Sequence, residues 1–288
     1  DTDRSRGLGD VYKRQNGQLG YDVIKRLNAL GDEPVGADRE EFDITDGKAT
    51  EDYITALRPD VIVHCAAYTA VDKAEDDRDT CSKVNVDGTR NIALACEKIG
   101  AKLVYISSDY VFGGSGTQPL EIDAPKDPQN IYGITKLGGE EEAKKCQKHF
   151  IVRTSWVFGI NGGNFVKTML RLADSHEKLT VVDDQTGSPT YTPDLARLIC
   201  DMIKTEKYGT YHASNEGYCT WAEFAKEIMR QAGKATEIVP CTTAEYPAKA
   251  KRPENSRLSK KCLDDADFDR LPPWQDALAR FLKELDLA

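Results

Sequence analysis

Tyr132 and Lys136 stand four residues apart in the stretch YGITK, so a helix through it sets both side chains on one face. A free tyrosine titrates at about pH 10, and a neighbouring ammonium favours the phenolate, bringing the hydroxyl toward usable acid–base strength at neutral pH. The spacing alone is a weak signal. Upstream, the apolar run KLVYISSDYVF (102–112) ends in Ser107, Ser108 and Asp109. If that run is a strand, its hydroxyls face the same crevice at a carboxyl edge. A tyrosine, a lysine and a serine that meet there can hold and protonate a carbonyl oxygen.

Placing those groups takes a sheet and its helices. The runs DVIVHCAAY (60–68) and KLVYISSDYVF are nearly continuous apolar segments bounded by polar residues, which suits strands covered on both faces. Residues 79–99 between them read as one helix. A further strand, HFIVRTSWVF (149–158), follows a helical segment from Tyr132 to about Cys146. In GQLGYDVIKRLNALG, residues Leu19, Val23, Ile24, Leu27 and Leu30 share a helical face, and Gly31 suits the C-cap. This repetition predicts an α/β fold over residues 16–158, with a Rossmann-type doubly wound parallel sheet.

Beyond residue 159 come shorter strands, turns and isolated helices. TPDLARLICDMI offers Thr192 as N-cap with Pro193 at the first helical position, TWAEFAKEIMRQAG carries a Thr220–Glu223 capping box, and GTYHASN is a candidate strand. Residues 159–288 are therefore expected to form mainly a smaller substrate-binding lobe, with some chain returning to the sheet. The cleft between lobes is the expected substrate site.

Gly17 and Gly20 fit the second and third glycines of a dinucleotide-binding fingerprint, and the helix that opens beyond them offers free N–H groups to phosphate. The first glycine belongs at position 14, where the chain has Arg14, and GDVYKR ahead of it holds only Val11 and Tyr12 as apolar residues. A central parallel strand buried on both faces suits neither Lys13 nor Arg14. Residues 1–15 therefore read as a non-native segment and the first strand as corrupted; the rival reading is a native chain that has lost its cofactor. Asp38, closing EPVGAD, suits an acid on a ribose hydroxyl, which favours NAD, while Arg39 beside it suits the extra phosphate of NADP. Asp43 and Ile44 begin a segment that could flank an adenine.

Composition narrows the class. The chain has 288 residues, is 40% hydrophobic and carries a net charge of −9, which argues against general nucleic-acid affinity. No apolar run reaches the roughly 18–20 residues that span a membrane, and the first residues lack a signal peptide's apolar core, so a cytoplasmic location is expected. The eight cysteines show no C-x-x-C pair or metal-ligand rhythm and read as reduced thiols, with no metal site. His64, His149, His176 and His212 are isolated and read as structural. Glu140 with Lys144 and Glu141 with Lys145 read as i,i+4 pairs on a solvated helix face.

The motifs NGQLG, CAAYTAVDKAE, ISSDYVFGG, YGITKLGGE, VRTSWVFG, GGNFVKTML, DDQTGSPTYT and KRPENSRL run from Asn16 nearly to the C-terminus. Together they resemble the extended short-chain dehydrogenases/reductases, and within them the dTDP-4-dehydrorhamnose reductases. The resemblance implies hydride transfer from NADPH or NADH to the C4 keto group of a dTDP-linked 4-dehydro-6-deoxy sugar, giving dTDP-L-rhamnose. Tyr132 would donate the proton, and Lys136 would hold the nicotinamide ribose and depress the tyrosine pKa. Ser108 stands where the family commonly has threonine, keeping the hydroxyl without the methyl. Gly17, Gln18, Leu19, Gly20, Ala67, Tyr68 and Thr69 would line the cofactor together with Asp38, Arg39, Asp43 and Ile44. Ser108, Asp109 and Trp156 would meet the sugar; read on its own, Trp156 is a core residue. Asn164, Phe165, Gln185 and Arg252 would meet the nucleotide diphosphate, for which an always-charged guanidinium fork is suited. Some members use magnesium between subunits, and nothing in these residues indicates it. The expected partner is a small nucleotide sugar, with no nucleic acid and no membrane, in a monomer or homodimer. The alternatives are another nucleotide-sugar reductase or epimerase, and a non-catalytic regulatory subunit.

Overall fold

Six parallel strands make the main sheet of the computed structural model, which describes residues 9–13, 17–246 and 248–286. They are β1 (Gly9–Lys13), β2 (Glu33–Ala37), β3 (Val61–His64), β4 (Lys102–Ser108), β5 (His149–Thr154) and a last strand, Gly209–His212. Across the sheet the order is Gly209–His212, β5, β4, β3, β1, β2. Val61–Val63, Leu103–Tyr105 and Phe150–Val152 are buried, as strands covered by helices on both faces must be. The chain runs from β1 outward to β2, then returns to the other side of β1 for β3. That reversal is a topological switch point, and ligands of such sheets bind outside the carboxyl ends of the strands beside it.

The segment expected to be foreign supplies backbone to the sheet nonetheless. Val11 pairs in register with Val35 of β2 on one side and with Ile62 of β3 on the other. Arg14, at the expected first glycine, lies outside the described residues, as do residues 1–8, 15 and 16.

On one face α1 (Gln18–Leu30) lays Leu19, Val23 and Leu27 against Val61, Val104 and Phe150. Helix Thr192–Ile203 joins it there with Leu195, Leu198, Ile199 and Met202, so chain beyond residue 159 returns to both the sheet and its helical layer. Gly31 takes φ 82° and closes α1. The other face carries Ile54, Ile92, Cys96 and Ala143 against Ile62, Leu103, Tyr105 and Ile151. A separate core of Phe158, Val166, Leu170, Phe224, Ile228, Leu278 and Phe281 builds the second lobe.

Two helix expectations change. Residues 79–99 are helix Arg78–Ser82, a π-helical turn Lys83–Asp87 and helix Gly88–Ile99. Thr192 is the first helical residue rather than the cap: Tyr191 takes the N-cap position, and the Thr192 hydroxyl donates to Asp22 at 2.5 Å. The Thr220–Glu223 capping box is present.

Candidate active site

Tyr132 and Lys136 lie on helix Ile131–Ala143, which Asn130 caps by accepting the Gly133 N–H at 2.8 Å. Glycines bring this helix down onto the end of β4. A Cβ at Gly133 would stand 2.2 Å from the Tyr110 carbonyl, and one at Gly139 would stand 2.1 Å from the Tyr105 hydroxyl. The close approach leaves Lys136 only 2% exposed. Its Nζ donates to the Ile106 carbonyl at 2.6 Å and lies 4.1 Å from the centre of the Tyr105 ring. Burial pushes its pKa down to about 7, against the opposing pull of Glu140. Tyr132 packs edge-on against Tyr110, ring centres 5.3 Å apart. Burial drives its phenol well above the ordinary range, and only the Ser108 hydrogen bond works the other way.

Ser108 and Asp109 meet the pair at the carboxyl end of β4. The Ser108 hydroxyl donates to Asp109 Oδ1 at 2.8 Å and accepts the Tyr110 N–H at 3.2 Å. Ser256, from the KRPENSRL segment, donates to Asp109 Oδ2 at 2.5 Å. Burial raises the Asp109 pKa to about 6 despite both hydroxyls.

Behind them stands a buried network that corrects the expectation of a solvated helix face. Glu140 is 0% exposed. Arg153 grips it with two bonds of 2.7 Å, and Ser107 donates to it at 2.6 Å. Arg153 also donates to the Ile122 carbonyl at 2.8 Å and lies 3.3 Å from His212 Nε2. Burial and Arg153 hold His212 down at about 3. The surface pairs on this helix are Lys144 with Glu141 and Lys145 with Glu142.

A cavity of about 540 Å³ joins the switch point to these groups. Gly17, Gln18, Leu19 and Gly20 line one end, Ala67 and Thr69 a side, and Ser107, Ser108, Asp109, Tyr132 and Lys136 the other end. The lining fits a dinucleotide. Gly17 caps α1 without any side-chain hydrogen bond, leaving first-turn N–H groups for phosphate. Thr154, at the end of β5, buries a hydroxyl with no partner among the described residues and aligns with the same wall.

Tyr68 is outside that lining: its backbone is pinned by Asn85, whose amide accepts the Tyr68 N–H at 2.8 Å and donates to Thr135 at 3.0 Å. Asn85 sits in the π-helical turn, so the extra residue of that turn ties the cofactor loop to the Tyr/Lys helix. Sequence inspection missed it, because nothing in the letters announces a π turn. Asp38, Arg39, Asp43 and Ile44 also stand outside the lining. Arg39 pairs with Asp43 at 3.4 Å, and Ile44 is buried in the core beneath Gly88.

A second cavity, about 380 Å³, opens beside the first. Trp156, Phe165, Gln185 and Arg252 line it, so three of the four residues expected at the diphosphate converge there with the expected sugar contact. Arg252 is held by Asp72 at 2.7 Å, and Gln185 donates to Thr243 at 3.0 Å. Asn164 is placed elsewhere. It caps helix Phe165–Ala173 by accepting the Lys167 N–H at 3.0 Å and donates to Gln18 at 3.0 Å, linking the second lobe to the phosphate end of the first cavity. Among the described residues no helix is long and apolar enough to cross a membrane.

A doubly wound sheet whose switch-point crevice is met by a Tyr-x-x-x-Lys helix, with a second lobe over its mouth, is the architecture of the extended short-chain dehydrogenases/reductases. Comparison with known proteins narrows this. The family model described as RmlD substrate binding domain matches residues 12–287, and the chain belongs to that family. It is 42% identical over 269 residues to the spore coat polysaccharide biosynthesis protein SpsK of Bacillus subtilis, covering 93% of this chain and 94% of that protein. It is 38% identical over 288 residues to the dTDP-4-dehydrorhamnose reductase of Escherichia coli K12, covering 94% and 96%. A crystal structure of dTDP-4-dehydrorhamnose reductase from Bacillus anthracis in complex with NADP superposes with a TM-score of 0.94 at 43% identity, covering 96% of this chain and 99% of that one.

Proposed function

We propose that this protein reduces the C4 keto group of dTDP-4-dehydro-6-deoxy-L-mannose to give dTDP-L-rhamnose, using NADPH or NADH. The observation that carries the reading is the meeting of Tyr132, Lys136 and Ser108 in one cavity with a helix N-terminus whose cap, Gly17, makes no side-chain hydrogen bond, beside a second cavity that holds Arg252.

Bound in the first cavity, the reduced nicotinamide supplies the hydride that goes to the sugar's carbonyl carbon. The chain's own residues handle the oxygen. Tyr132, its phenol kept protonated by burial, gives its proton to that oxygen as negative charge develops. The Ser108 hydroxyl, its oxygen held by the Tyr110 N–H, turns its one hydrogen from Asp109 Oδ1 to the same oxygen and stabilises the charge. Lys136 titrates near neutrality, so its ammonium can return a proton toward the phenolate left on Tyr132. The N–H groups after Gly17 hold the dinucleotide phosphates, and Arg252 with Gln185 receives the nucleotide end of the sugar substrate.

The test is loss of reduced-nicotinamide absorbance on adding dTDP-4-dehydrorhamnose, for the native chain and for Tyr132→Phe. Turnover by the native chain, with a loss of about 10²-fold or more in the variant at unchanged cofactor affinity, supports the assignment. Near-normal turnover in Tyr132→Phe removes it from the role of acid.

A further inference from the structure

Three residues line both cavities: Tyr110, Trp156 and Trp221. Any molecule that reaches from Arg252 to Tyr132 must pass them. Trp156 holds a left-handed backbone, φ 50°, at a cost of about 1–2 kcal/mol for a residue with a side chain. Its indole lies flat on that of Trp221, ring centres 3.7 Å apart and planes 14° from parallel. Gly187 lets it lie there, since a Cβ at that position would come within 2.9 Å of the Trp156 ring. Trp221 is itself fixed from behind: Phe165 packs at 4.6 Å, and the Thr220–Glu223 capping box sets the start of its helix. Trp221 therefore covers one face of Trp156, and the two indoles form a single apolar wall between the cavities.

We infer that Trp221 is a specificity-determining residue for the sugar, which nothing in the comparisons assigns. The inference rests on the reductase reading above. Substrate entering from the Arg252 side lays its sugar along the indole pair, and the C6 methyl of a 6-deoxy sugar is the group such a wall accepts. A C6 hydroxymethyl group would press a hydroxyl onto the rings, losing its water without gaining a protein partner. Trp221 thus acts in two ways, holding Trp156 in its left-handed pose and extending the apolar surface.

Stacked indoles couple through their strong far-ultraviolet band, so the native protein should show an exciton couplet in far-ultraviolet circular dichroism that changes when the dTDP-sugar binds. Trp221→Phe and Trp221→Ala are compared with the native chain on dTDP-4-dehydrorhamnose and on the corresponding 6-hydroxy 4-keto nucleotide sugar. The expected result is a KM for the 6-deoxy substrate raised more than kcat is lowered, and a preference for the 6-deoxy sugar reduced about tenfold in Trp221→Ala, with Trp221→Phe between. Unchanged selectivity and KM in both folded variants, with the native chain active, overturns the inference and leaves the reductase standing. A couplet that responds to the nucleotide sugar in a chain that binds the reduced nicotinamide yet never reduces the sugar overturns the reductase and leaves the indole wall as its seat.

Discussion

Replacing Lys136 by methionine should stabilise the nucleotide-free protein near neutral pH while removing its activity. Lys136 has 2% of its surface exposed, and burial brings its pKa from 10.5 to about 7. That fall corresponds to about 5 kcal/mol of stability withheld from the folded protein wherever the lysine is charged in both states. The unfolded chain keeps the lysine proton up to about pH 10, whereas the folded protein releases it near pH 7. Between those limits the unfolded state binds more protons, so stability must rise with pH. The slope approaches about 1.4 kcal/mol per pH unit and amounts to about 2 kcal/mol between pH 7 and pH 9.

Methionine abolishes this dependence and fills most of the same volume, but leaves the Ile106 carbonyl without its 2.6 Å donor, a loss of about 1–3 kcal/mol. With the lysine half discharged at pH 7 the remaining penalty is about 4 kcal/mol, so the net expectation is a variant more stable by about 1–3 kcal/mol near pH 7, with the advantage falling to about zero by pH 9. Urea denaturation of both proteins across that range measures the difference directly. Lys260, also brought down by burial, to about 8, is present in both and cancels. Parallel stability profiles for the two proteins would refute the account of Lys136 as a buried, partly discharged lysine.

Glu140→Gln should cost about 3–5 kcal/mol, because Arg153 then keeps a buried charge without its counterion, and Glu140→Gln with Arg153→Met together should recover much of the loss; denaturant melts in which the single variant lies within about 1 kcal/mol of native would sink this. Asp109→Asn should gain on the native protein as pH rises from about 4 to about 7, by about 3 kcal/mol in total. The sign follows from a folded pKa of about 6 against an ordinary 3.8: the native protein loses stability as pH climbs through that window, and a flat difference in thermal unfolding across it would count against the buried carboxyl.

What the sequence reveals here is local periodicity, and what it hides is orientation. Tyr132 and Lys136 were legible because four residues make nearly one helical turn. Glu140 lies one turn further along the same face, so its burial follows from that of Lys136. Yet its neighbours Lys144 and Lys145 supply convincing surface partners on paper, and Arg153 becomes its partner only once β5 lies beside β4. The glycines at 133 and 139 were the missed signal, since they let the helix sink onto the strand. Asn164 illustrates the converse: a short polar side chain directly before FVKTML is a helix cap by local rules, and the structure gives it that role. The left-handed backbone of Trp156 and the π turn around Asn85 have no local signature, because tertiary packing imposes both.

The first strand brings the two kinds of information into conflict. The sheet needs a strand between β2 and β3, because without one both would present open edges at the switch point. Residues 9–13 meet that need with backbone pairing, which any sequence except proline can supply. What a central parallel strand asks of side chains is different: apolar groups on both faces, then a glycine where the turn into α1 approaches the phosphates. The letters GDVYKR do not provide that. We therefore propose that the native-like state is underpaid at this strand, and that replacing residues 9–14 by an apolar, β-branched strand ending in glycine at position 14 raises both the melting temperature and the affinity for NADPH. Cofactor titration by fluorescence and a thermal melt on the same samples separate the two effects. A rise in melting temperature with unchanged affinity would show that Gly17 and Gly20 suffice for the phosphates, whereas no change in either would mean that the chain as written already satisfies the sheet and that residues 1–15 are no defect.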